Sequence, residues 1–274
     1  MALTLSAIQM DSDKNADINL DNLKRLVAEL SPRPEQIVLL PENAFSVSGK
    51  ACYLRLAETL GEGYYQTQLA NLAKQYQCYL VCGSFPIKSA QQGKIHTSCL
   101  VFSPLGKLLN YYHKLHLFDA QVSDSRGAYK ESDTFVAGQE IQLFDCLNDK
   151  QTVKVGLAIC YDLRFPGLFQ ALRAAGADII LLPAAFTKVT GKAHWLPLLQ
   201  ARAIENQCYI IAANQGGKNT YGHSMIISPW GEVLQQLQQG EGIIQTLFDK
   251  SLLQQVRSDM PVIEHNRFKN SLRE

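Results

Sequence analysis

The sequence predicts an α/β protein: one four-layer α-β-β-α sandwich built from two pseudo-repeated halves. Two observations support this class. Short apolar runs bounded by Pro, Gly or Asp alternate with longer segments of helical periodicity. In addition, four segments of the first half recur in the second half in the same order. Several apolar runs show little alternation, which is typical of strands covered on both faces.

The apolar runs predict eight strands, and the periodic segments predict four helices. The predicted strands span 3–10, 37–40, 78–85, 98–102, 153–160, 179–182, 208–213 and 223–228. The predicted helices span 17–30, 64–77, 167–175 and 193–206, the last entered near Pro197. The Gly-, Ser- and Gln-containing stretch at 88–94 is then a loop within the fold and not a linker between domains.

The internal repeat consists of four pairs of similar segments. They are "AIQMD" (7–11) with "AICYD" (158–162), "IVLLPENAF" (37–45) with "IILLPAAFT" (179–187), "CYLV" (78–81) with "CYII" (208–211), and "VFSPLGKLL" (101–109) with "IISPWGEVL" (226–234). Two such sheets, each covered by helices on one side, would bury their bare faces on each other. We therefore predict one domain over 1–274, with a C-terminal extension from about Ser251 that lies outside the repeat.

Composition and charge exclude several classes of partner. The chain has 274 residues, 46% of them hydrophobic, and a formal net charge of +1. A balanced charge provides no electrostatic footprint for nucleic acid or for an anionic membrane. No apolar run approaches the roughly 20 residues that a membrane-spanning helix needs. We expect neither nucleic acid nor membrane as a partner.

The first residues and the cysteines indicate the compartment. The start, "MALTLSAIQMDSDKNADINL", has neither the basic region nor the long apolar region of a secretion signal. The seven cysteines are irregularly spaced, with no C-x-x-C pair to complete a zinc site. These features predict a soluble, reduced, cytoplasmic protein.

Comparison of the two halves singles out three polar residues near strand ends. Glu42 follows "IVLLP", whereas Ala184 occupies the matching position after "IILLP". Cys160 stands where the first half has Gln9, and the region of Lys114 has no counterpart in the second half. In α/β folds, chemistry gathers where strands end, so this asymmetry predicts a site placed on a duplicated scaffold.

A thiol, a carboxylate and an ammonium form a coherent catalytic set. A thiolate can act as nucleophile, an enclosed carboxylate can take the thiol proton, and a fixed cation can stabilise an oxyanion. A lone cysteine at a strand end is more often a small buried hydrophobe. The other six cysteines lack such partners, and we interpret them as core residues.

Three segments together resemble the signature motifs of the nitrilase superfamily of carbon–nitrogen hydrolases: "LLPENAF", "YYHKLHLFD" and "GLAICYDLRFP". The resemblance implies an α-β-β-α sandwich, usually dimerised, with a Glu-Lys-Cys triad. Matched residue by residue, it implies Glu42 as base, Lys114 as oxyanion stabiliser and proton relay, and Cys160 as nucleophile. Glu131, in "YKESDTFVAG", matches a second glutamate that would orient Lys114 and bind the substrate amide.

Substrate-binding residues are expected near the nucleophile. Tyr161, Phe186 and Thr187 could line the pocket, and Arg164 could bind a substrate carboxylate. Arg164 could instead pair with Asp162 as scaffolding.

Histidines and a charged pair allow further interpretations. His113 and His116 could form a metal pair, but no third ligand is evident, so we expect no metal and no cofactor. Arg202 and Glu205 have the spacing of a structural pair, and His223 is expected to be a satisfied buried histidine.

The segments "PAAFTKVTGKAHWLPLLQARAIENQCYIIAANQ" and "YGHSMIISPWGEVL" are similar to the Nit branch of that superfamily. The resemblance implies an amidase that converts a small carboxylate-bearing primary amide into acid and ammonia through a cysteine thioester. Deaminated glutathione is the expected substrate. The alternatives are an ω-amidase acting on α-ketoglutaramate and a catalytically silent binding or scaffold homologue. A thiol-redox protein would need a resolving cysteine, for which Cys146 and Cys208 are the candidates.

A homodimer is implied by the same resemblance. The C-terminal extension adds an argument from the sequence, because it has little else to pack on.

Overall fold

Two six-stranded β-sheets form the centre of the computed structural model, which describes residues 2–124, 127–149, 151–269 and 271–272. The strands are β1 (Thr4–Gln9), β2 (Gln36–Leu39), β3 (Tyr79–Lys88), β4 (Ile95–Phe102), β5 (Leu108–His113), β6 (Asp119–Gln121), β7 (Ala128–Lys130), β8 (Leu143–Asn148), β9 (Gln151–Leu157), β10 (Ile179–Ala184), β11 (Tyr209–Asn214), β12 (Met225–Ile227), β13 (Val233–Gln236) and β14 (Gly242–Leu247). Strands β6 and β7 form a separate small hairpin.

Seven α-helices flank the sheets within the described ranges. They are α1 (Ala16–Val27), α2 (Lys50–Leu56), α3 (Tyr64–Gln75), α4 (Pro166–Ala174), α5 (Lys188–Asn206), α6 (Lys250–Asp259) and α7 (Val262–His265). Short 3₁₀ turns cover Glu131–Asp133 and Cys160–Arg164. In the part of the chain that the structure describes, we find no helix with the length and apolar character that crossing a membrane requires.

The two sheets have the same topology. The first runs β14-β1-β2-β3-β4-β5 and the second runs β8-β9-β10-β11-β12-β13. In each sheet the second, third and fourth strands are parallel, and the outer strands on both sides are antiparallel to their neighbours. The predicted duplication is therefore confirmed, with β1, β2, β3 and β4 equivalent to β9, β10, β11 and β12.

Three apolar layers separate the four layers of structure. Alternate residues of the parallel strands, such as Leu39 and Leu181, lie in the core between the sheets. Their neighbours face the helices: Val38 packs in a core with α1 and α3, and Leu182 packs in a core with α4 and α5. Because both faces of these strands are buried over most of their length, their sequences are mostly apolar and lack the regular alternation of a half-exposed strand. This is the predicted α-β-β-α sandwich.

The eight predicted strands and four predicted helices are all present, with shifted boundaries. The largest shift is at α5, which begins at Lys188 and not at residue 193, because the Thr187 hydroxyl accepts a hydrogen bond from the Thr190 N–H and caps the helix. Pro197 lies inside α5 and does not mark its start.

The segment after Ser251 packs on its own chain, in contrast to the argument that favoured a dimer. Leu253 and Val256 of α6 are buried. Arg257 donates to Asp178 Oδ1 (2.7 Å) and to the carbonyl of Ala177 (2.8 Å), which ties α6 to the second half.

Candidate active site

Cys160 follows the end of β9, at the first position of the 3₁₀ turn. Its φ is +47°, in the left-handed region that non-glycine residues rarely adopt. Such a conformation costs on the order of 1 kcal/mol and persists only where neighbouring contacts fix it, often at functional sites. Arg202 contributes to this by donating from Nε and Nη2 to the Leu163 carbonyl at 3.0 and 2.8 Å.

The Asp162 carboxylate connects the Cys160 turn to the segment that carries Lys114. This fully buried side chain accepts from the Ile159 N–H (2.8 Å) and the Tyr112 hydroxyl (2.7 Å). It also accepts from the N–H and Nδ1 of His116, at 3.1 and 2.7 Å. One carboxylate thus fixes the residue before the thiol and two residues that flank Lys114.

Glu42 lies in the loop after β2, at the same end of the structure. The loop approaches β3 so closely that a Cβ on Gly83 would overlap the carbonyl oxygens of Leu40 and Pro41. The Gln215 side chain of the second half donates to the Glu42 carbonyl at 3.0 Å. The Glu42 side chain is only 4% exposed, so its carboxylate is held in a largely dry environment.

Lys114 directly follows β5 and carries a fully buried side chain. Its ammonium donates to Glu42 Oε1 at 2.8 Å and to both carboxylate oxygens of Glu131 at 3.0 and 3.1 Å. Glu131 begins the 3₁₀ turn after β7 and also accepts from the Phe118 N–H at 2.7 Å. A buried ammonium without such partners would be costly, so the two carboxylates and the lysine form one unit.

Electrostatics hold the thiol in its protonated form. Burial raises the pKa of Cys160 well above its usual value, and the negative charge of Glu42 raises it further, while Lys114 opposes the shift. A hydrogen bond between the thiol and the Glu42 carboxylate also favours the protonated thiol. The resting site therefore contains a neutral thiol beside a carboxylate that can accept its proton.

The pKa values of Lys114 and Glu131 are also shifted. Burial opposes the charge on Lys114, but Glu131 and Glu42 outweigh it and hold the pKa of the ammonium well above its usual value. Burial raises the pKa of Glu131, with Lys114 acting in the opposite direction. Lys114 is thus a permanent cation at neutral pH, suited to stabilising a developing oxyanion.

A cavity of about 650 Å³ opens onto this cluster. Glu42, Glu131 and Cys160 line it, as do the four residues predicted to bind substrate: Tyr161, Arg164, Phe186 and Thr187. The rest of the wall includes residues of the β6–β7 hairpin, α2 and the start of α5, together with the loops before α2 and after β11.

Two of these residues also pack against the scaffold, as the sequence interpretation allowed. Phe186 is 5% exposed and contacts Trp195 with ring centroids 4.9 Å apart, and Thr187 caps α5.

One alternative from the sequence is wrong. Asp162 does not pair with Arg164, because its four hydrogen bonds are to Ile159, Tyr112 and His116. The Arg164 guanidinium lies instead 3.3 Å from His194 Nδ1, and its Cζ lies within about 6 Å of the Tyr161 and Phe186 rings.

The histidines have structural partners. His113 Nδ1 lies 2.7 Å from Ser98 Oγ, and its ring stacks on His96, whereas His116 binds Asp162. His223 stacks on Tyr221 and does not line the cavity. Among the described residues, no cluster of three or more His, Cys, Asp or Glu side chains is arranged to hold a metal ion. The predicted Arg202–Glu205 ion pair is present at 3.0 Å.

The sandwich fold and the thiol–carboxylate–ammonium cluster are the features of a carbon–nitrogen hydrolase. The family model described as "Carbon-nitrogen hydrolase" matches residues 4–258. The chain belongs to this family, and it is a hydrolase that acts on linear amides.

The chain is also similar to named relatives over nearly its whole length. It is 40% identical to a deaminated glutathione amidase of Yersinia enterocolitica, over 98% of this chain and 94% of that protein. It is 36% identical to the omega-amidase NIT2 of Bos taurus, over 97% of this chain and 94% of that protein. The solved C. elegans NitFhit protein superposes with a TM-score of 0.86 at 32% identity, over 97% of this chain and 66% of the other.

Proposed function

We propose that this protein hydrolyses deaminated glutathione through a thioester on Cys160. The observation that carries the proposal is the buried Glu42–Lys114–Glu131 cluster beside a protonated thiol, at the base of a cavity large enough for a peptide-like amide. The relatives' names supply the substrate class. The four lining residues named above are proposed to contact it.

Acylation begins at the hydrogen bond between the thiol and Glu42. As Sγ attacks the amide carbon, Glu42 accepts the thiol proton and the carbonyl oxygen becomes an oxyanion. Lys114 stabilises that charge, and such a preorganised group contributes about 3–4 kcal/mol in a water-excluded site. Glu131 holds Lys114 in place and accepts from the amide nitrogen of the substrate.

The proton held by Glu42 then passes to the leaving nitrogen, directly or through Lys114, and the C–N bond breaks. The products of this half are an amine and an acyl thioester on Cys160. In the second half, Glu42 takes a proton from water, the hydroxide adds to the thioester carbon, and the C–S bond breaks. The acid leaves and the thiol regains its proton, so no cofactor is consumed.

The two candidate substrates differ in their leaving group. α-Ketoglutaramate is a primary amide and releases ammonia. Deaminated glutathione, which is glutathione with a keto oxygen in place of its amino group, is a substituted amide and releases cysteinylglycine. The expectation of a primary amide and of ammonia as product therefore fits only the ω-amidase alternative. Both substrates yield α-ketoglutarate, so one product assay compares them directly.

The experiment is to measure α-ketoglutarate formation from both compounds by wild-type protein, with Cys160→Ala as control. We expect a higher kcat/KM for deaminated glutathione and no turnover by the variant. A preference for α-ketoglutaramate would change the substrate to that of an ω-amidase. A thioester on Cys160 seen by mass spectrometry of quenched protein would rule out a silent homologue. Activity that persists in Cys160→Ala would contradict the mechanism.

We also propose a homodimer formed through the outer face of α5. Leu196 and Ile204 lie eight residues apart, on the same side of the helix, and are 38% and 53% exposed. Trp230, 56% exposed, lies in the turn that contacts this face, since the Gly231 carbonyl accepts from Gln200. Light scattering should show a dimer at micromolar concentration. Ile204→Glu should shift it to a monomer, whereas Leu105→Glu, in an exposed turn of the first half, should not.

The cysteines support a cytoplasmic site of action. All seven are unpaired thiols. We propose that the protein works in a reducing compartment and that its partners are the small-molecule amide and a second copy of itself. No nucleic acid is proposed as a partner.

A further inference from the structure

The charges that line the cavity are strongly unequal. Among the described residues, and apart from Glu42 and Glu131, which are paired with Lys114, the lining carries five cations and one carboxylate. The cations are Lys50, Lys130, Arg164, Lys188 and Lys218, and the carboxylate is Asp124. A cavity lined mainly by one sign of charge concentrates ligands of the opposite sign. The lining therefore favours a substrate with more than one negative charge.

Two of these cations differ from the others in having no polar partner. Lys50 donates to the Asp133 carbonyl at 2.7 Å, and Lys130 forms an ion pair with the Asp133 carboxylate at 3.3 Å. Lys188 and Lys218 are exposed and form no hydrogen bond or ion pair within the described residues. Their ammonium groups are free to bind an anion that enters the cavity.

The fold joins the two segments that carry these lysines. Thr187 and Thr220 form an isolated antiparallel bridge, and the Tyr221 N–H donates to the Phe186 carbonyl at 2.9 Å. These contacts join the start of α5 to the loop that follows β11. Lys188 directly follows one partner of the bridge and Lys218 lies two residues before the other, so both belong to the same part of the cavity wall. Because both are exposed, they lie at its rim, whereas Arg164 is half-buried and closer to Cys160 in the sequence.

We propose that Lys188 and Lys218 form a subsite for a second carboxylate, the one farther from the scissile bond. This inference rests on the proposed function. In deaminated glutathione, the keto-acid carboxylate is four bonds from the reacting carbon, and the glycine carboxylate is six bonds away on the leaving-group side. The near carboxylate is bound by Arg164 and the far one by the two rim lysines. The substrate class is then an amide with a carboxylate on each side of the scissile bond.

The size of the cavity agrees with such a substrate. A volume of about 650 Å³ falls within the range of roughly 300–1,000 Å³ that accommodates drug-sized ligands. α-Ketoglutaramate has a single carboxylate and would leave the lysine subsite empty. The two candidate substrates would react with the same catalytic residues. The lysine subsite is therefore the feature that distinguishes them.

The test measures binding separately from turnover, in a Cys160→Ala background. Calorimetry would compare deaminated glutathione with its glycine amide, which lacks only the far carboxylate. We expect Lys188→Gln/Lys218→Gln to weaken binding of deaminated glutathione about tenfold, as for two partly exposed charge-assisted contacts. Binding of the glycine amide and of α-ketoglutaramate should change less than about twofold. Lys192→Gln, an exposed lysine of the same helix that does not line the cavity, is the matched control.

Equal weakening of all three ligands, or no change in any, would overturn the subsite. In the active enzyme, the double variant should raise KM for deaminated glutathione and leave kcat within about twofold. If the wild-type protein hydrolyses neither compound while the lysines still distinguish the glycine amide in the binding assay, the proposed function fails and the subsite stands.

Discussion

At the scale of single residues, Asp162 is the group that sequence reasoning underestimated most. Its carboxylate accepts four hydrogen bonds from groups that hold Cys160 and Lys114. Because Tyr112 and His116 are 50 and 46 residues away in the chain, no local pattern could have revealed the link. From the sequence, Asp162 was considered only as a possible partner of Arg164.

We predict that Asp162→Asn lowers kcat by about tenfold to a hundredfold. The amide has one acceptor oxygen for four donors, so at least one buried donor loses its partner and the Cys160 turn shifts. A misplacement of about 1 Å at a catalytic group costs roughly a hundredfold in rate. Steady-state kinetics should show the loss in kcat, with KM nearly unchanged. The free energy of unfolding should fall by about 1–3 kcal/mol.

Asp178→Asn is the control for stability alone. Asp178 pairs with Arg257 at 2.7 Å, outside the cavity, so its substitution should destabilise the fold and leave kcat within about twofold. If Asp162→Asn lowered stability but kept wild-type kcat, Asp162 would be structural and not a positioning residue.

The charge of Glu42 leads to a prediction about the thiol. Apart from burial, Glu42 is the main cause of the raised pKa of Cys160, and Lys114 acts against it. In Glu42→Gln the raising charge is lost and the lowering charge remains, so the thiol pKa should fall relative to wild type. Alkylation by iodoacetamide across a pH series should therefore reach its half-maximal rate at a lower pH. Turnover should fall by about 10²–10⁴, as for loss of a general base.

Glu131→Gln provides the comparison for this experiment. Glu131 contacts Lys114 and is not one of the main causes of the raised pKa of the thiol. Its substitution should impair turnover and leave the alkylation midpoint near that of wild type. A midpoint in Glu42→Gln that is unchanged or higher would contradict the electrostatic account of the resting thiol.

At the scale of elements, the close approach of β3 to the Glu42 loop restricts which residue can occupy position 83 of that strand. A Cβ at Gly83 would overlap the carbonyl oxygens of Leu40 and Pro41 and would lie about 2.5 Å from Pro183 Cβ of the other sheet. None of these atoms belongs to a flexible side chain. We predict that Gly83→Ala costs about 1–3 kcal/mol of stability and lowers kcat by displacing Glu42.

Denaturant titration and steady-state kinetics on the same preparation would measure both effects. Gly49→Ala is the matched control, because a Cβ there has no neighbour within 4 Å. Its free energy of unfolding should change by less than about 1 kcal/mol, the range of a cap substitution. Wild-type kcat in Gly83→Ala would show that the loop position is not set by this contact.

The strands that could be predicted and those that could not differ in burial. The eight predicted strands carry apolar residues on both faces. The four missed strands of the large sheets, β5, β8, β13 and β14, are the edge strands of the two sheets. Edge strands are half-exposed, so their sequences mix polar and apolar residues and provide no continuous apolar run. Glu42, Lys114 and Cys160 could be predicted because each lies in one of the three motifs and has no counterpart of the same residue type in the other half.

At the scale of the whole molecule, the position of Cys160 in the second half and the matching position in the first half both carry a polar side chain. The two side chains have different roles. The counterpart of Cys160 is Gln9, which is fully buried. Its amide donates to the carbonyls of Gln238 and Gly240 at 2.6 Å and accepts from the N–H and hydroxyl of Ser224. Both polar atoms of the Gln9 side chain are used to join the two halves. The position in the first half is therefore structural, whereas the equivalent position in the second half carries the thiol of the catalytic cluster.

The path of the chain couples the two halves further. After β13 in the second sheet, β14 crosses over and pairs with β1 in the first sheet. Helix α6 then returns to the second half, where Arg257 binds Asp178. The core between the sheets contains residues of both, so neither sheet can be exposed without the other losing its apolar cover.

We predict that the halves unfold as one cooperative unit. Amide hydrogen exchange under native conditions should give highest opening free energies for β1–β3 and for β9–β11 that agree within about 1 kcal/mol. Leu253→Ala, which removes a side chain of α6 that is 1% exposed, should cost about 2–4 kcal/mol. It should lower protection equally in both sheets, although α6 itself is anchored to the second half. If the opening free energy of the first sheet were several kcal/mol lower than that of the second, the two sheets would open independently. That result would show that the crossing strand and the shared core do not couple the two halves.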